Sequence, residues 1–134
     1  MNWIGIRKLN GMDLIHSLEH QYAVTFPDDY KVLVQNSNAG IPDKQLFTVA
    51  SKTYYLERLI SANTADSPNI CTAMGWVDQE SAGVMVPIAL TLDHDMICLN
   101  FDGAGSKVVL IEYETEAMHA LANDVSELLS KLHD

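Results

Sequence analysis

The second half of the chain contains two short apolar segments that stand close together. Residues Met96–Phe101 alternate, so that the residues at odd positions fall on one face of a strand. Residues Val108–Tyr113 predict a second strand, and the glycine-containing stretch 102–107 between them predicts a hairpin loop. This pair predicts neighbouring antiparallel strands and does not fit a regular alternation of strands and helices.

Three further segments predict strands, and one predicts a short helix. Leu46–Ala50 and Tyr54–Ile60 are rich in β-branched and aromatic residues. Val84–Ala89 is apolar but contains Pro87, which cannot donate a backbone hydrogen bond, so we expect an edge strand or an irregular strand there. Residues 69–78 follow a helix start signal and predict a short helix.

Helices are predicted at both ends of the chain. Met12–Tyr22 carries an apolar stripe, and Pro27 followed by Asp28 suits the first turn of a second helix. Asp124 with Glu127 is a capping box for a closing helix. This order predicts an α+β fold, with a mostly antiparallel sheet flanked by N-terminal helices and a C-terminal helix. The length of 134 residues fits a single domain, 1–134.

The distribution of charge argues against one class of partner. The net charge is −10, and no Lys or Arg occurs between Arg58 and Lys107. The same window contains six acidic residues: Asp66, Asp78, Glu80, Asp93, Asp95 and Asp102. Nucleic acid phosphates need Lys and Arg to displace their counterions, so we expect no nucleic acid binding. A positively charged protein would be attracted; the alternative is that acidity only keeps the chain in solution.

One motif resembles that of a metallopeptidase. The stretch from His16 to His20 fits the H-x-x-E-H pattern, but both histidines fall on the far side of the predicted helix from its apolar stripe. A catalytic zinc needs a third protein ligand and a dry cleft, so we expect no metal site there. His94 between two aspartates is the one compact candidate for acid–base chemistry. It has no nucleophile nearby, and local hydrogen bonding is the simpler interpretation.

The chain predicts neither a membrane span nor a signal peptide. No run of 18 apolar residues occurs, and the first residues do not follow the signal-peptide pattern. Cys71 and Cys98 each lie in an apolar stretch, so we expect two buried, reduced thiols. We therefore expect a cytoplasmic protein without a cofactor.

Three pieces of the chain occur in the order of a known family pattern. They are the stretch 18–30 with Asn38-Ala39-Gly40, the segments 86–89 and 95–102, and the strand 108–114 with the closing helix. In this order they resemble the SUKH superfamily, specifically its Smi/Knr cell-wall-synthesis-regulator-like family. Its pattern reads lE..yg..lP.dY...l...NGG and then iPia..g.GD.icld. One departure is that His94 stands where the family has a glycine before the aspartate, which is Asp95 here.

The resemblance implies an α+β fold and, for bacterial members, a role as an immunity protein. Such proteins are made beside a polymorphic toxin, bind its toxic domain and block it, and many of these toxins are nucleases. The resemblance implies no enzymatic activity. For Pro27 and Tyr30 it implies a role in the corner between two helices, and for Asp95 a role in the turn before a strand. The yeast relatives suggest an alternative, a non-catalytic interaction scaffold or regulator in cell-envelope or stress control.

The residues that would contact a toxin are predicted from charge and aromatic character alone. A basic toxin, such as a nuclease, would meet loop carboxylates and a few aromatic anchors. The predicted contact residues are Asp78, Glu80, Asp93, Asp95, Asp102, Tyr54, Tyr55 and Trp76. The alternative for the aromatic residues is core packing, and for each carboxylate a turn cap or a solvated face. We expect a monomer or a weak homodimer, because exposed edge strands can pair.

Overall fold

The computed structural model describes residues 1–79, 83–103 and 105–134. Within these residues the helices are α1 (Asp13–Tyr22), α2 (Asp28–Ser37), α3 (Ile70–Met74) and α4 (Val125–Lys131). The strands are β1 (Trp3–Ile4), β2 (Ile41–Pro42), β3 (Leu46–Val49), β4 (Lys52–Leu59), β5 (Val84–Thr91), β6 (Met96–Phe101), β7 (Ser106–Ile111) and β8 (Met118–Ala122).

Strands β3 to β8 form a six-stranded sheet in which the spatial order equals the order along the chain. Every neighbouring pair in it is antiparallel, and β1 with β2 forms a separate two-stranded ribbon. Short connections suffice to join antiparallel neighbours, and the longer connection between β4 and β5 contains α3. The predicted α+β class with an antiparallel sheet is confirmed.

The main core lies against one face of this sheet, and all four helices contribute buried residues to it, α3 through Ile70, Ala73 and Met74. Helices α1, α2 and α4 contribute fully buried residues to it, among them Ile15, Leu18, Tyr30, Val125 and Leu128. The odd positions of β6, which are Ile97, Leu99 and Phe101, belong to the same cluster, as the alternation predicted. The Phe26 ring stacks on the Phe101 ring with 5.4 Å between centroids, so the stretch between α1 and α2 is anchored to the sheet.

The opposite face of the sheet carries a second, smaller apolar cluster. It consists of the buried residues Met85, Met96, Cys98 and Val109, with Val77, Leu90 and Ile111 packed against them. Strand β6 is therefore buried on both of its faces.

Strand β5 differs from the prediction in its position. It pairs with both β4 and β6, so the prediction of an edge strand was wrong, whereas the irregularity is confirmed by a register shift between Pro87 and Ala89. The ladder to β4 covers only Ala89 to Thr91. Pro87 lies beyond it, so its missing donor breaks no hydrogen bond to β4.

Other elements were missed or misjudged from the sequence. Strands β1, β2 and β8 were not predicted, and β8 has few of the β-branched residues that mark a strand. Helix α3 is shorter than the predicted 69–78. The predicted burial of Cys71 was wrong because this thiol is exposed, whereas Cys98 is buried; both are unpaired. Within the described residues, no helix has the length and apolar character that crossing a membrane requires.

Candidate functional site

Three hairpin turns meet at one end of the six-stranded sheet. They join β3 to β4 at residues 50–51, β5 to β6 at residues 92–95, and β7 to β8 at residues 112–117. In an antiparallel sheet that follows chain order, every second turn falls at the same end. Residues that are far apart in the sequence therefore become neighbours at this end.

Asp95 connects two of these turns. Its Oδ2 accepts a hydrogen bond from Thr91 Oγ1 at 3.0 Å, and its Oδ1 accepts one from the backbone N–H of Tyr113 at 2.9 Å. The Asp95 N–H in turn donates to Thr91 Oγ1 at 3.0 Å. The side chain is buried and both of its oxygens accept hydrogen bonds within the turns, so Asp95 fixes the turn geometry, as the family resemblance implied.

A second set of hydrogen bonds supports the turn between β7 and β8. The hydroxyl of the buried Tyr54 donates to Glu112 Oε1 at 2.7 Å, and Thr115 Oγ1 donates to Glu112 Oε2 at 2.8 Å. His119 Nε2 lies 3.2 Å from Glu112 Oε1 and forms an ion pair when its ring is protonated. Burial raises the pKa of Tyr54 to about 12. The hydrogen bond from Tyr54 lowers the pKa of Glu112, which is therefore charged at neutral pH.

The supported turns expose three carboxylates and two rings. We call this set the end surface, and it consists of Asp93, His94, Tyr113, Glu114 and Glu116. The rings of His94 and Tyr113 lie 5.8 Å apart, so the two turns touch. Across the described parts of the chain, no ion pair engages any of the three carboxylates. Four of the five residues, with Lys52 as a cation, line a cleft of about 500 Å³.

A second cleft continues from the end surface onto the open face of the sheet. We call it the methionine groove, and its volume is about 490 Å³. Trp76 and Asp78 form one side of it, and the two clefts share Glu112 and Tyr113. Gln79 holds the segment with Trp76 in place, because its side-chain amide bonds both the N–H and the carbonyl of Met85, each at 2.8 Å.

The structure brings some of the predicted contact residues together and separates others. Trp76, Asp78 and Asp93 are exposed and line the two clefts. Tyr55 is also exposed and lies beside them, since its carbonyl accepts a hydrogen bond from the Leu92 N–H at 3.0 Å.

Of the remaining predicted contact residues, one is distant, two are buried and one lies outside the described residues. Asp102 follows the far end of β6, and six strand residues span about 20 Å. Tyr54 and Asp95 are buried and committed to internal hydrogen bonds, so the surface proposed below omits both. Glu80 lies outside the described residues. Asp66, another acid of the cation-free window, accepts hydrogen bonds from Ser61 and Asn63.

Sequence reasoning missed four residues that shape these clefts: Tyr113, Glu114, Glu116 and Met118. For the first three of them the signal was present in the stretch Glu-Tyr-Glu-Thr-Glu at 112–116, which has three acids in five residues. It fell outside the cation-free window because Lys107 ends that window. The cation-free window is defined along the sequence, whereas the end surface is formed by turns that are adjacent only in space.

The composition of these clefts suits binding to another molecule through its surface. Aromatic and methionine side chains supply apolar contact area, and carboxylates supply charge. His16 and His20 are exposed on α1. In residues 1–79, 83–103 and 105–134, no group of three or more His, Cys, Asp and Glu side chains is placed to hold a metal ion.

Comparison with known proteins gives one match. The model of the SMI1 / KNR4 family (SUKH-1) matches residues 12–131. A search of curated proteins and a search of solved structures each found no match to this chain. The matched range includes every strand of the six-stranded sheet and all four helices described above. The chain therefore belongs to the SMI1 / KNR4 family of the SUKH superfamily.

Proposed function

We propose that this chain is an immunity protein that binds a cognate polymorphic toxin and neutralises it as a stoichiometric inhibitor. Its family includes immunity proteins. The observation that carries the proposal is the end surface, where three carboxylates that form no ion pair with any described residue stand beside exposed aromatic side chains. The toxin that such a surface fits best is a basic one, and a nuclease domain with a cationic substrate groove is the clearest example.

The proposed mechanism is occlusion of the toxin. A negative surface steers the encounter with a positive one and discourages wrong partners through like-charge repulsion. Aromatic side chains such as Tyr113, Tyr55 and Trp76 then supply apolar contacts at the centre. A specific complex of this kind buries about 1,600 Å² in total. The inhibitor needs no chemistry of its own, in keeping with a family whose members are generally not catalytic.

The proposed function implies a cytoplasmic location and no need for a cofactor. A cytoplasmic inhibitor would meet the toxin before it acts on the cell that makes it, and two unpaired thiols suit a reducing compartment. No cofactor is required, because binding alone blocks the toxin.

The direct test is to co-express the chain with the toxin-like protein encoded beside it and to purify the pair. We expect a stable complex at low salt and loss of toxin activity at equal molar amounts. Raising the ionic strength should slow association, because salt screens steering between exposed charges. Absence of a complex at low salt would contradict the proposal.

A charge-reversal variant locates the contact. Changing the three carboxylates together, as Asp93→Lys, Glu114→Lys and Glu116→Lys, should lower the association rate constant about tenfold or more. The matched control changes the net charge equally at three exposed carboxylates elsewhere: Asp43→Lys, Asp102→Lys and Asp134→Lys. An equal effect of both triple variants would show that only net charge matters and that the end surface is not the contact.

A second candidate function is a non-catalytic interaction scaffold or regulator in cell-envelope or stress control, which the resemblance to the yeast relatives suggests. A scaffold would use the same exposed surface for several endogenous proteins. The two readings differ in partner number: an immunity protein should form one tight complex, whereas a scaffold should recover several partners that all lose binding in the end-surface variant.

A further inference from the structure

The methionine groove is an apolar depression that no other element of the described chain fills. Its floor contains the buried Met85 and Met96, and its sides carry Trp76, Tyr113 and Met118, which are 51%, 63% and 49% exposed. Monomeric proteins rarely leave clustered large apolar side chains in water without a partner. Three of the nine exposed large apolar residues among the described ones line this single groove.

The chemistry of the groove predicts an apolar anchor in its occupant. Methionine side chains are flexible and polarizable, so they adapt to different inserted side chains. Trp76 offers a large rigid face of the kind that dominates binding energy at protein interfaces. The volume of about 490 Å³ exceeds what a single water or ion would need.

The rim of the groove predicts a cationic occupant. Asp78, Glu112 and Glu116 line it, and none of the described residues that line it is Lys or Arg. A second copy of this chain is disfavoured because each copy carries a net charge of −10. Nucleic acid is disfavoured for the same reason.

We propose that the methionine groove binds a cationic segment of a partner protein, with a large apolar side chain of that segment inserted over Met85 and Met96. Flanking Lys or Arg side chains of the segment lie at the acidic rim. This inference rests on the proposed function, because the basic toxin is the partner that would carry the segment. It adds a specific anchor site to a surface that otherwise acts mainly through charge.

The contributions of charge attraction and of apolar contact to binding can be separated by a substitution that affects them in opposite directions. Met118→Glu removes an apolar wall and adds a negative charge, so attraction by charge alone would strengthen binding, whereas an apolar anchor would be lost. The matched control is Val32→Glu, which adds the same charge at a side chain that is 54% exposed on α2 and outside both clefts. We expect Met118→Glu to weaken binding about tenfold or more and Val32→Glu to leave it within twofold.

The probe does not depend on knowing the toxin. It is a short synthetic peptide of lysines and leucines, compared with two peptides of equal length in which glutamates replace the lysines or alanines replace the leucines. Binding is followed by the emission of Trp76 in a Trp3→Phe background, since these are the two tryptophans of the chain. Only the peptide with both lysines and leucines should shift the Trp76 emission to shorter wavelength.

Several results would overturn the inference. They are equal binding of the lysine–alanine peptide, tighter binding by Met118→Glu, or self-association of the chain that Met118→Glu abolishes. If Met118→Glu lowers the melting temperature strongly, Trp76→Ala is the second variant, with tyrosine or calorimetric detection, and the same loss of binding is expected. If Met118→Glu and Trp76→Ala both form the toxin complex normally, the groove is not the binding site, but the proposed immunity function still stands. If the groove binds the peptide but the chain forms no complex with the toxin, the groove inference stands and the proposed immunity function is contradicted.

Discussion

At the scale of single residues, left-handed backbone occurs at three positions where the family pattern has glycine. Ala23, Ala39 and His94 have φ values of 54°, 60° and 69°. A side chain with a Cβ pays about 1–2 kcal/mol for this conformation. The chain therefore retains a left-handed turn geometry that glycine would adopt freely. One of the three positions, His94, lies within the end surface.

We predict that His94→Gly stabilises the protein and that His94→Ala does not. Both changes remove the ring contact with Tyr113, but only glycine relieves the positive φ, so the two variants should differ by about 1 kcal/mol in free energy of unfolding. Urea denaturation of both variants measures this difference. Equal stabilities would show that the turn carries no strain at this residue.

Asp95 gives a second prediction at the residue scale. Asp95→Ala removes the acceptor for Thr91 Oγ1 and for the Tyr113 N–H, so it should cost about 1–3 kcal/mol of stability. The control Asp93→Ala, at an exposed neighbour, should stay within about 0.5 kcal/mol. Thermal denaturation compares them, and a similar small loss in both would contradict the structural role of Asp95.

At the scale of elements, the segment from α4 to the end of the chain ties together both edges of the six-stranded sheet. Lys131 Nζ donates to the carbonyl of Leu121 on β8 at 2.6 Å. Beyond α4, His133 exchanges two backbone hydrogen bonds with Leu46 on β3, at 3.0 and 2.9 Å. Strand edges with unpaired backbone groups invite association, and both edges here are partly covered. The expected weak homodimer therefore has less free edge available than the sequence suggested.

We predict that His133→Pro destabilises the protein, whereas His133→Ala is nearly neutral. Proline removes the N–H that donates to the Leu46 carbonyl, and leaving that acceptor unpaired costs about 1–3 kcal/mol. Alanine keeps this backbone bond and removes only an exposed ring. Chemical denaturation distinguishes the two, and equal stability would mean that the edge contact contributes nothing.

The hydrogen bond between Tyr54 and Glu112 makes a prediction about pH. Because the folded-state pKa of Glu112 is lowered, its contribution to stability is present above pH 4.5 and is lost as the pH falls through the lowered pKa. Tyr54→Phe keeps the ring stacked on Phe47 but removes this donor, so the pKa of Glu112 should rise toward 4.5. Carboxyl NMR titration of both proteins measures it. An unchanged Glu112 pKa in the variant would show that a group other than the Tyr54 hydroxyl lowers the pKa of this carboxylate.

At the scale of the whole molecule, the net charge of −10 sets the response to salt. Self-repulsion destabilises a compact acidic chain, and salt screens it, so the melting temperature should rise with added NaCl. The double variant Glu114→Gln, Glu116→Gln carries less charge and should show a smaller rise. A melting temperature that falls with NaCl in both proteins would show that favourable ion pairs, not repulsion, dominate.

The sequence by itself determined the α+β class, the bounds of the first N-terminal helix to within one residue, the start of the second and the strand β6. Helix caps, apolar stripes and strand alternation depend on residues within a few positions of one another, so they can be read along the chain. The family pattern could be recognised for the same reason, since its motifs are local runs in a conserved order.

Only the tertiary structure decided which charges and rings meet. The bond from Tyr113 to Asp95 joins residues 18 apart, and that from Tyr54 to Glu112 joins residues 58 apart. Through these contacts Tyr54 and Asp95, two of the predicted contact residues, are buried. The acidic turn at 112–116, which lies outside the cation-free window, is exposed instead. Burial depends on how strands line up across the sheet, and that alignment results from packing of the whole core, which no short stretch of the chain encodes.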